Sequence, residues 1–152
     1  MRPMSEPFVL DFRVRWPDVD FNQHMRNAAY LGCAEDLRMR YLDAGGWSMD
    51  RFAQLRIGPV VLEDRLTYRK ELRLLEPFRV DMELAGTGDG AERLRLRNRF
   101  FRASDGALCA TVDSLVLWLD LAARRPVAPP AALRDLWLAL PRTEDFAPIP
   151  GR

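Results

Sequence analysis

This chain has little of what metal and disulfide chemistry need. Its 152 residues include one histidine and two cysteines. The cysteines, Cys33 and Cys109, stand far apart in apolar surroundings. No Cys/His spacing builds a zinc site of the usual kind, so no metal is expected, and nothing in the pattern calls for a cofactor. Two isolated thiols in such surroundings read as buried and reduced. An excess of one charge is also missing. Lys and Arg number 23 against 22 Asp and Glu, with a formal net charge of +1. That removes the global electrostatic case for nucleic acid or an anionic membrane as partner. No run approaches the ~18 apolar residues that span a bilayer. The N-terminal stretch from Met1 to Pro7 lacks the apolar core of a signal peptide, so a soluble, cytoplasmic protein is expected. No internal repeat, low-complexity tract or linker divides the chain. A single domain over 1–152 is expected, with its core at about 8–121 and a proline-rich tail at 122–152.

The most informative stretch is 16–30, Trp-Pro-Asp-Val-Asp-Phe-Asn-Gln-His-Met-Arg-Asn-Ala-Ala-Tyr. It holds the only histidine, His24, with Asp18 and Asp20 before it and Asn27 and Tyr30 after it. The cluster sits where an apolar run ends and a helical pattern begins. Such a junction can set a carboxylate beside the free N–H groups of a helix N-terminus, which carry partial positive charge. The helix end then polarises a carbonyl, and the carboxylate attacks it or activates water.

Around that stretch the periodicities are plain. Phe8 to Trp16 alternates as a half-buried strand, and Pro17 ends it. From about Asn27 to Asp43, Tyr30, Cys33, Ala34, Leu37 and Tyr41 fall on one helical stripe. Asp36 and Arg40 form a pair one turn apart, and Gly45-Gly46 supplies the stop. Residues 47–58 read as a connection with a short helical turn. Four strands are expected next, at Pro59–Glu71, Phe78–Ala85, Arg93–Arg102 and Ala107–Leu121, with turns at Thr87–Gly90 and Ser104–Gly106. The second half of the last strand is apolar on both faces, as in a central strand or one covered by a partner subunit. In the tail, Leu133, Leu136, Trp137 and Leu140 fit one short amphipathic helix. The order is an α+β arrangement, one long helix against a curled antiparallel sheet of about five strands.

With Asp18-Val19-Asp20, His24, Asn27 and Tyr30 in this spacing, and Glu35 and Arg38 on the helix, the chain resembles hotdog-fold thioesterases of the 4-hydroxybenzoyl-coenzyme A thioesterase type. The resemblance covers roughly 8–121. It implies a hotdog fold and an acyl-CoA thioester hydrolase. Asp20 would be the catalytic carboxylate, the helix start near Asn27 the carbonyl-binding end, and the site would lie between two subunits of a homodimer or homotetramer. Gln23 stands where many relatives carry glycine, so a narrower site or an altered turn is expected there.

For each residue an ordinary role competes with the catalytic one. Asp20 suits a turn or a cap, and Asn27 a plain N-cap. His24 would hold Asp20 or the thioester, or hydrogen-bond its own loop. Asp18 is expected to order the loop or pair with an arginine. Tyr30 belongs to the core stripe or lines the acyl pocket. Two arginine sets compete for the coenzyme A phosphates. Arg93, Arg95, Arg97 and Arg99 are expected to form a solvated face balanced by Asp81, Glu83 and Asp113. Arg65, Arg69, Lys70 and Arg73 are preferred, with Arg69 and Lys70 as the substrate-binding pair. The reading is an acyl-CoA thioesterase using Asp20, His24 and Asn27. The alternatives are a non-catalytic module that binds an acyl thioester or fatty acid, and a hotdog dehydratase.

Overall fold

The computed structural model describes residues 7–151, and Met1–Glu6, part of the stretch read against a signal peptide, lies outside the described residues. A short strand β1 (Leu10–Arg13) opens the fold and a single 3-10 turn, Trp16–Asp18, follows it. Pro17 sits inside that turn, so the expected strand stops before it, several residues short of Trp16. The long helix α1 (Asn27–Ala44) and the short helix α2 (Met49–Leu55) come next. Then follow β2 (Ile57–Tyr68), β3 (Pro77–Val80), β4 (Glu83–Thr87), β5 (Arg93–Arg102), β6 (Leu108–Asp120), the two-residue β7 (Arg125–Pro126) and α3 (Ala131–Leu138).

The strands form one antiparallel sheet in the order β1-β3-β5-β6-β2. β4 extends the β3 side of β5, and β7 pairs with the end of β6. This curled sheet against one long helix is the hotdog arrangement. The expected strand at Phe78–Ala85 is two strands. Its two halves follow the same edge of β5, with Val80 opposite Phe100 and Glu83 opposite Arg97. Between them the Asp81 carboxylate accepts the Arg99 N–H at 3.1 Å and the Arg99 Nε at 2.9 Å. A side chain that bonds a strand N–H displaces the ladder there.

Alternation decides which face of the sheet is covered. On β5, Leu94, Leu96, Asn98 and Phe100 point inward and are buried, while the arginines between them point outward. β6 contributes Ala110, Val112, Ser114, Val116 and Trp118 to the same inner face. α1 lays Ala29, Tyr30, Ala34, Leu37 and Leu42 on it. Each large apolar side chain fully buried this way contributes ~1.5–3 kcal/mol. Cys33 and Tyr41 lie only half-buried at the margin of that stripe. One buried helix residue is charged: Arg38 donates to Asn98 Oδ1 at 2.9 Å and to Ser114 Oγ at 2.6 Å. That accounts for the polar Asn98 and Ser114 on an otherwise apolar face. Gly46, at φ +88°, turns the chain out of α1.

β6 is a central strand, between β5 and β2. On its outer face Leu117 is buried within the chain itself. The tail is built into the sheet edge. Beyond α3, Thr143 and Ile149 donate to the Leu84 and Thr87 carbonyls at 3.0 and 2.9 Å, and Leu84 donates to Pro141 at 2.8 Å. This strap closes the outer edge of β4, which would otherwise present unpaired backbone groups. A Cβ at Gly86 would stand 2.5 Å from the Ala147 carbonyl, so the strap requires glycine there. α3 buries Leu133 and Trp137, and Leu140 is buried just past its end. Among the described residues no helix is long and apolar enough to cross a membrane.

Candidate active site

The loop from Asp20 to Met25 is built by its own hydrogen bonds. The Asp20 N–H donates to the His24 carbonyl at 2.8 Å, and the Gln23 N–H to the Asp20 carbonyl at 3.0 Å. Asp20 Oδ1 accepts the Asn22 N–H at 2.8 Å and the His24 N–H at 3.1 Å. These bonds fix the carboxylate from one side. Oδ2 has no hydrogen-bond partner among the described residues, and the residue is exposed. Gln23 sits at φ +64° and so takes the left-handed backbone a glycine would supply. The turn is made with a glutamine in that conformation, at a cost in strain.

Two anchors hold the loop. The Met25 N–H donates to the Leu72 carbonyl at 2.7 Å, with both side chains buried. The Arg26 N–H donates to the Asp18 carbonyl at 2.8 Å, and the Asp18 carboxylate accepts Arg15 Nε at 2.9 Å. Asp18 thus orders the loop and pairs with an arginine, as expected.

α1 starts beside this loop, and its first turn is unusual. Arg26 is the N-cap, with no side-chain cap bond, and the first turn holds no acid. Asn27 is the first helical residue, so the expectation of Asn27 as N-cap is corrected. Its Oδ1 accepts the neighbouring Ala28 N–H at 2.8 Å. The Asn27 N–H has no acceptor among the described residues. An 18-residue helix therefore presents its positive end without the carboxylate that commonly covers it.

Asp20, His24, Asn27, Tyr30, Arg69 and Lys70 all line one open groove of about 350 Å³. Met25, Tyr68 and Glu71 complete its wall. Periodicity marks Tyr68 only as a strand residue; its place in the wall follows from β2 ending beside α1, where its hydroxyl lies 3.5 Å from the Asn27 carbonyl. The Glu71 carboxyl is held below its ordinary value, first by a backbone hydrogen bond and then by the charges of His24, Arg73 and Arg102. The side chains of Arg69 and Lys70 make no hydrogen bond or ion pair among the described residues. Tyr30 is buried in an aromatic row, edge-on to Tyr68 at 5.4 Å and to Phe100 at 5.2 Å. Burial pushes its phenol up to about 12, with Cys109, Tyr68 and Asp20 acting in the same direction.

In the competing arginine set, Arg97 and Arg99 are spent on carboxylates, while Arg95 makes no hydrogen bond or ion pair among the described residues. Arg97 pairs with Asp113 at 2.6 Å and with both Asp145 oxygens at 3.0 Å. Arg99 pairs with Asp81 at 2.5 Å and Glu83 at 3.0 Å. Arg93 donates to the Pro150 carbonyl. The balanced face expected from Asp81, Glu83 and Asp113 is what the structure shows. Asp145 was not part of that expectation, since only the folded tail brings it there. A second groove of about 490 Å³, between β1 and α1, carries the pairs Arg15–Asp18 and Arg40–Asp36 and the side of Cys33. Burial pushes that thiol up to about 11, which disfavours the thiolate.

A family model described as thioesterase-like superfamily matches residues 14–136. Among solved structures the chain is similar to a hypothetical protein from Staphylococcus aureus in complex with CoA. The two are 23% identical, with a TM-score of 0.83, 94% of this chain and 91% of that chain covered. It is also similar to a 1,4-dihydroxy-2-naphthoyl-CoA thioesterase from Synechocystis, at 13% identity and TM-score 0.79 over 88% of this chain and 96% of that one. A probable thioesterase from Escherichia coli matches at 21% identity and TM-score 0.74, over 88% and 98%. At such identities the structural likeness speaks for the fold.

Proposed function

The chain belongs to the thioesterase-like superfamily, and on that footing we propose that it is an acyl-CoA thioesterase of the 4-hydroxybenzoyl-CoA thioesterase type. One observation carries the reading. A carboxylate with an unengaged oxygen and a helix N-terminus without a cap bond line the same groove. Asp20 takes a proton from water as the water oxygen bonds to the thioester carbon. The carbonyl electron pair moves to oxygen, where the Asn27 N–H at the positive end of α1 stabilises the charge. The adduct collapses: the oxyanion pair re-forms the carbonyl, the C–S bond breaks, and thiolate leaves with the electron pair of that bond. Direct attack by Asp20, giving an anhydride that water then opens, uses the same geometry. Thiolate is a good leaving group, so no strong general acid is needed. Asn27 contributes the helix start, and His24, whose N–H binds Asp20 Oδ1, keeps the carboxylate in place.

Arg69 and Lys70, whose side chains make no hydrogen bond or ion pair among the described residues, stand at the groove rim and fit the coenzyme A phosphates. The CoA complex of the Staphylococcus aureus protein and the naphthoyl-CoA substrate of the Synechocystis enzyme support a CoA ligand. Assembly belongs to the same reading. The outer edge of β2 has no strand on it among the described residues, and Val61 and Leu62 are exposed there. A second copy covering that edge gives a dimer or tetramer with the site near the subunit boundary.

The test is a hydrolysis screen over an acyl-CoA panel, read as free thiol. Asp20→Asn should lower kcat by ~10²-fold or more, the lower range for a positioned base. Near-normal turnover in that variant would sink the assignment. Enoyl product in place of thiol would mean a dehydratase, and binding without turnover a carrier or sensor. A fully active monomer at nanomolar concentration would remove the shared site.

A further inference from the structure

The hydroxyl of Tyr30 has no stated purpose in the fold. The residue is 3% exposed, deep in the aromatic row between α1 and the sheet. No hydrogen bond engages its hydroxyl among the described residues. Yet the hydroxyl is not sealed. Among the described residues, the enclosed side-chain polar atoms that lack a partner are the Trp118 and Trp137 indole nitrogens and Thr143 Oγ1. What exposure Tyr30 keeps therefore includes its hydroxyl, and the cavity it lines is the groove that holds Asp20 and Asn27. A donor that reaches only this groove and has no protein partner is left for an acceptor brought into the groove.

Its direction follows from helix stereochemistry. Tyr30 is the fourth residue of α1, one turn in from Asn27. Side chains on a helix lean toward its N-terminus and cover the turn before their own Cα. The phenol is therefore carried back toward the free Asn27 N–H. The rings of Tyr68 and Phe100 hold it edge-on, so it does not swing away. Burial keeps it protonated, and so a donor, throughout the neutral range.

We propose that the Tyr30 hydroxyl donates a hydrogen bond to the thioester carbonyl oxygen, so that one side-chain donor and one backbone donor from the first turn of α1 share the developing oxyanion. This rests on the thioesterase reading above and adds a catalytic residue to it. No proton is transferred by Tyr30. Its bond strengthens as the carbonyl electron pair moves onto oxygen and weakens again when the C–S bond breaks. A charged acceptor makes such a bond roughly twice as strong as a neutral one. The contribution therefore falls on the transition state and appears in kcat.

Tyr30→Phe removes only the hydroxyl and leaves the ring packing. Because the hydroxyl has no protein partner, the melting temperature should be unchanged. Against the best substrate of an acyl-CoA panel, kcat should fall by about 10²-fold, in line with loss of one oxyanion donor, with KM within about threefold. A second measurement asks about the carbonyl directly. Two non-hydrolysable CoA thioethers of equal chain length are compared by calorimetry, one S-(2-oxoalkyl) and one S-alkyl. The wild-type chain should prefer the ketone, and Tyr30→Phe should lose that preference. Retention of the preference overturns the proposal even if kcat falls, because the hydroxyl then acts elsewhere. An effect on KM alone, a lower melting temperature, or no binding of either thioether to the wild type overturns it as well. If the wild type hydrolyses no member of the panel, the thioesterase reading fails by that arm, and the thioether preference alone decides Tyr30.

Discussion

Two arginine-bearing regions of this protein have opposite fates. On the outer face of β5, Arg97 and Arg99 are each held by two carboxylates, drawn from β6, the tail and the β3–β4 edge. At the end of β2, Arg69 and Lys70 are left without such partners, beside a carboxylate with one oxygen unengaged and a helix start with no cap bond. These two arginines are satisfied internally and serve stability. The second region leaves charges and dipoles unanswered, and such groups gain most from a ligand that answers them. The difference lies in which backbone segments the fold brings past each cation, since arginine is common to both regions.

The sharpest test of that contrast sets two isosteric changes side by side. Asp20→Asn should remove ~10²-fold or more of kcat, the loss expected for a positioned base, and leave the melting temperature in place. Asp145→Asn should leave kcat in place. Equal effects on turnover would erase the distinction between the regions.

A smaller effect is expected for the cations. Arg69→Ala or Lys70→Ala should raise KM about two- to fivefold, the worth of one exposed ion pair, with kcat little changed and more salt sensitivity. Arg95→Ala, on the outer face, should be kinetically silent. If Arg95 matters and Arg69 and Lys70 do not, the nucleotide lies on the other face.

The strap supplies a stability test with a defined sign. Arg97 holds the Asp145 carboxyl down at about 2, below its ordinary 3.8. A carboxyl whose value is lowered by folding stabilises the fold above its ordinary value. That stabilisation is lost as pH falls from about 4 toward about 2. Exposed pairs of this kind carry ~0.2–1 kcal/mol, so Asp145→Asn should lower the melting temperature at pH 7 by no more than ~4 °C. The acid limb of the melting profile should flatten in the variant. An unchanged acid limb would mean that the clamp contributes nothing.

The smallest effect is expected at Gln23. Glycine there relieves ~1–2 kcal/mol of left-handed strain but returns ~0.4–1 kcal/mol of unfolded-state entropy. Gln23→Gly should therefore raise thermal stability slightly and leave kcat unchanged. A loss of activity would show that the glutamine side chain itself serves the groove.

Much of this was legible before folding. Period-2 alternation placed β5 within its observed limits, because every second residue faces a solid core and a slip of one would bury arginines. The helical stripe placed α1 for the same reason, and the junction at residues 16–30 marked residues that come to line one groove, since polar residues there have no core to serve. Boundaries set by side-chain-to-backbone bonds were not legible. The break at Asp81 depends on Arg99 of another strand, and the cap of α1 fell on Arg26 because the loop bonds of Asp18 and Asp20 set where the helix begins. Equally hidden were the place of Tyr68 in the groove wall, the pairing of Arg97 with Asp145, and the tail as the closing edge of β4. Local pattern by itself determined which residues are inside, which are outside and where the chemistry gathers, because burial periodicity is a property of one segment. Which cation is answered and which is left for a ligand was decided only by tertiary structure, because a charge pairs across space with whatever the chain's path delivers.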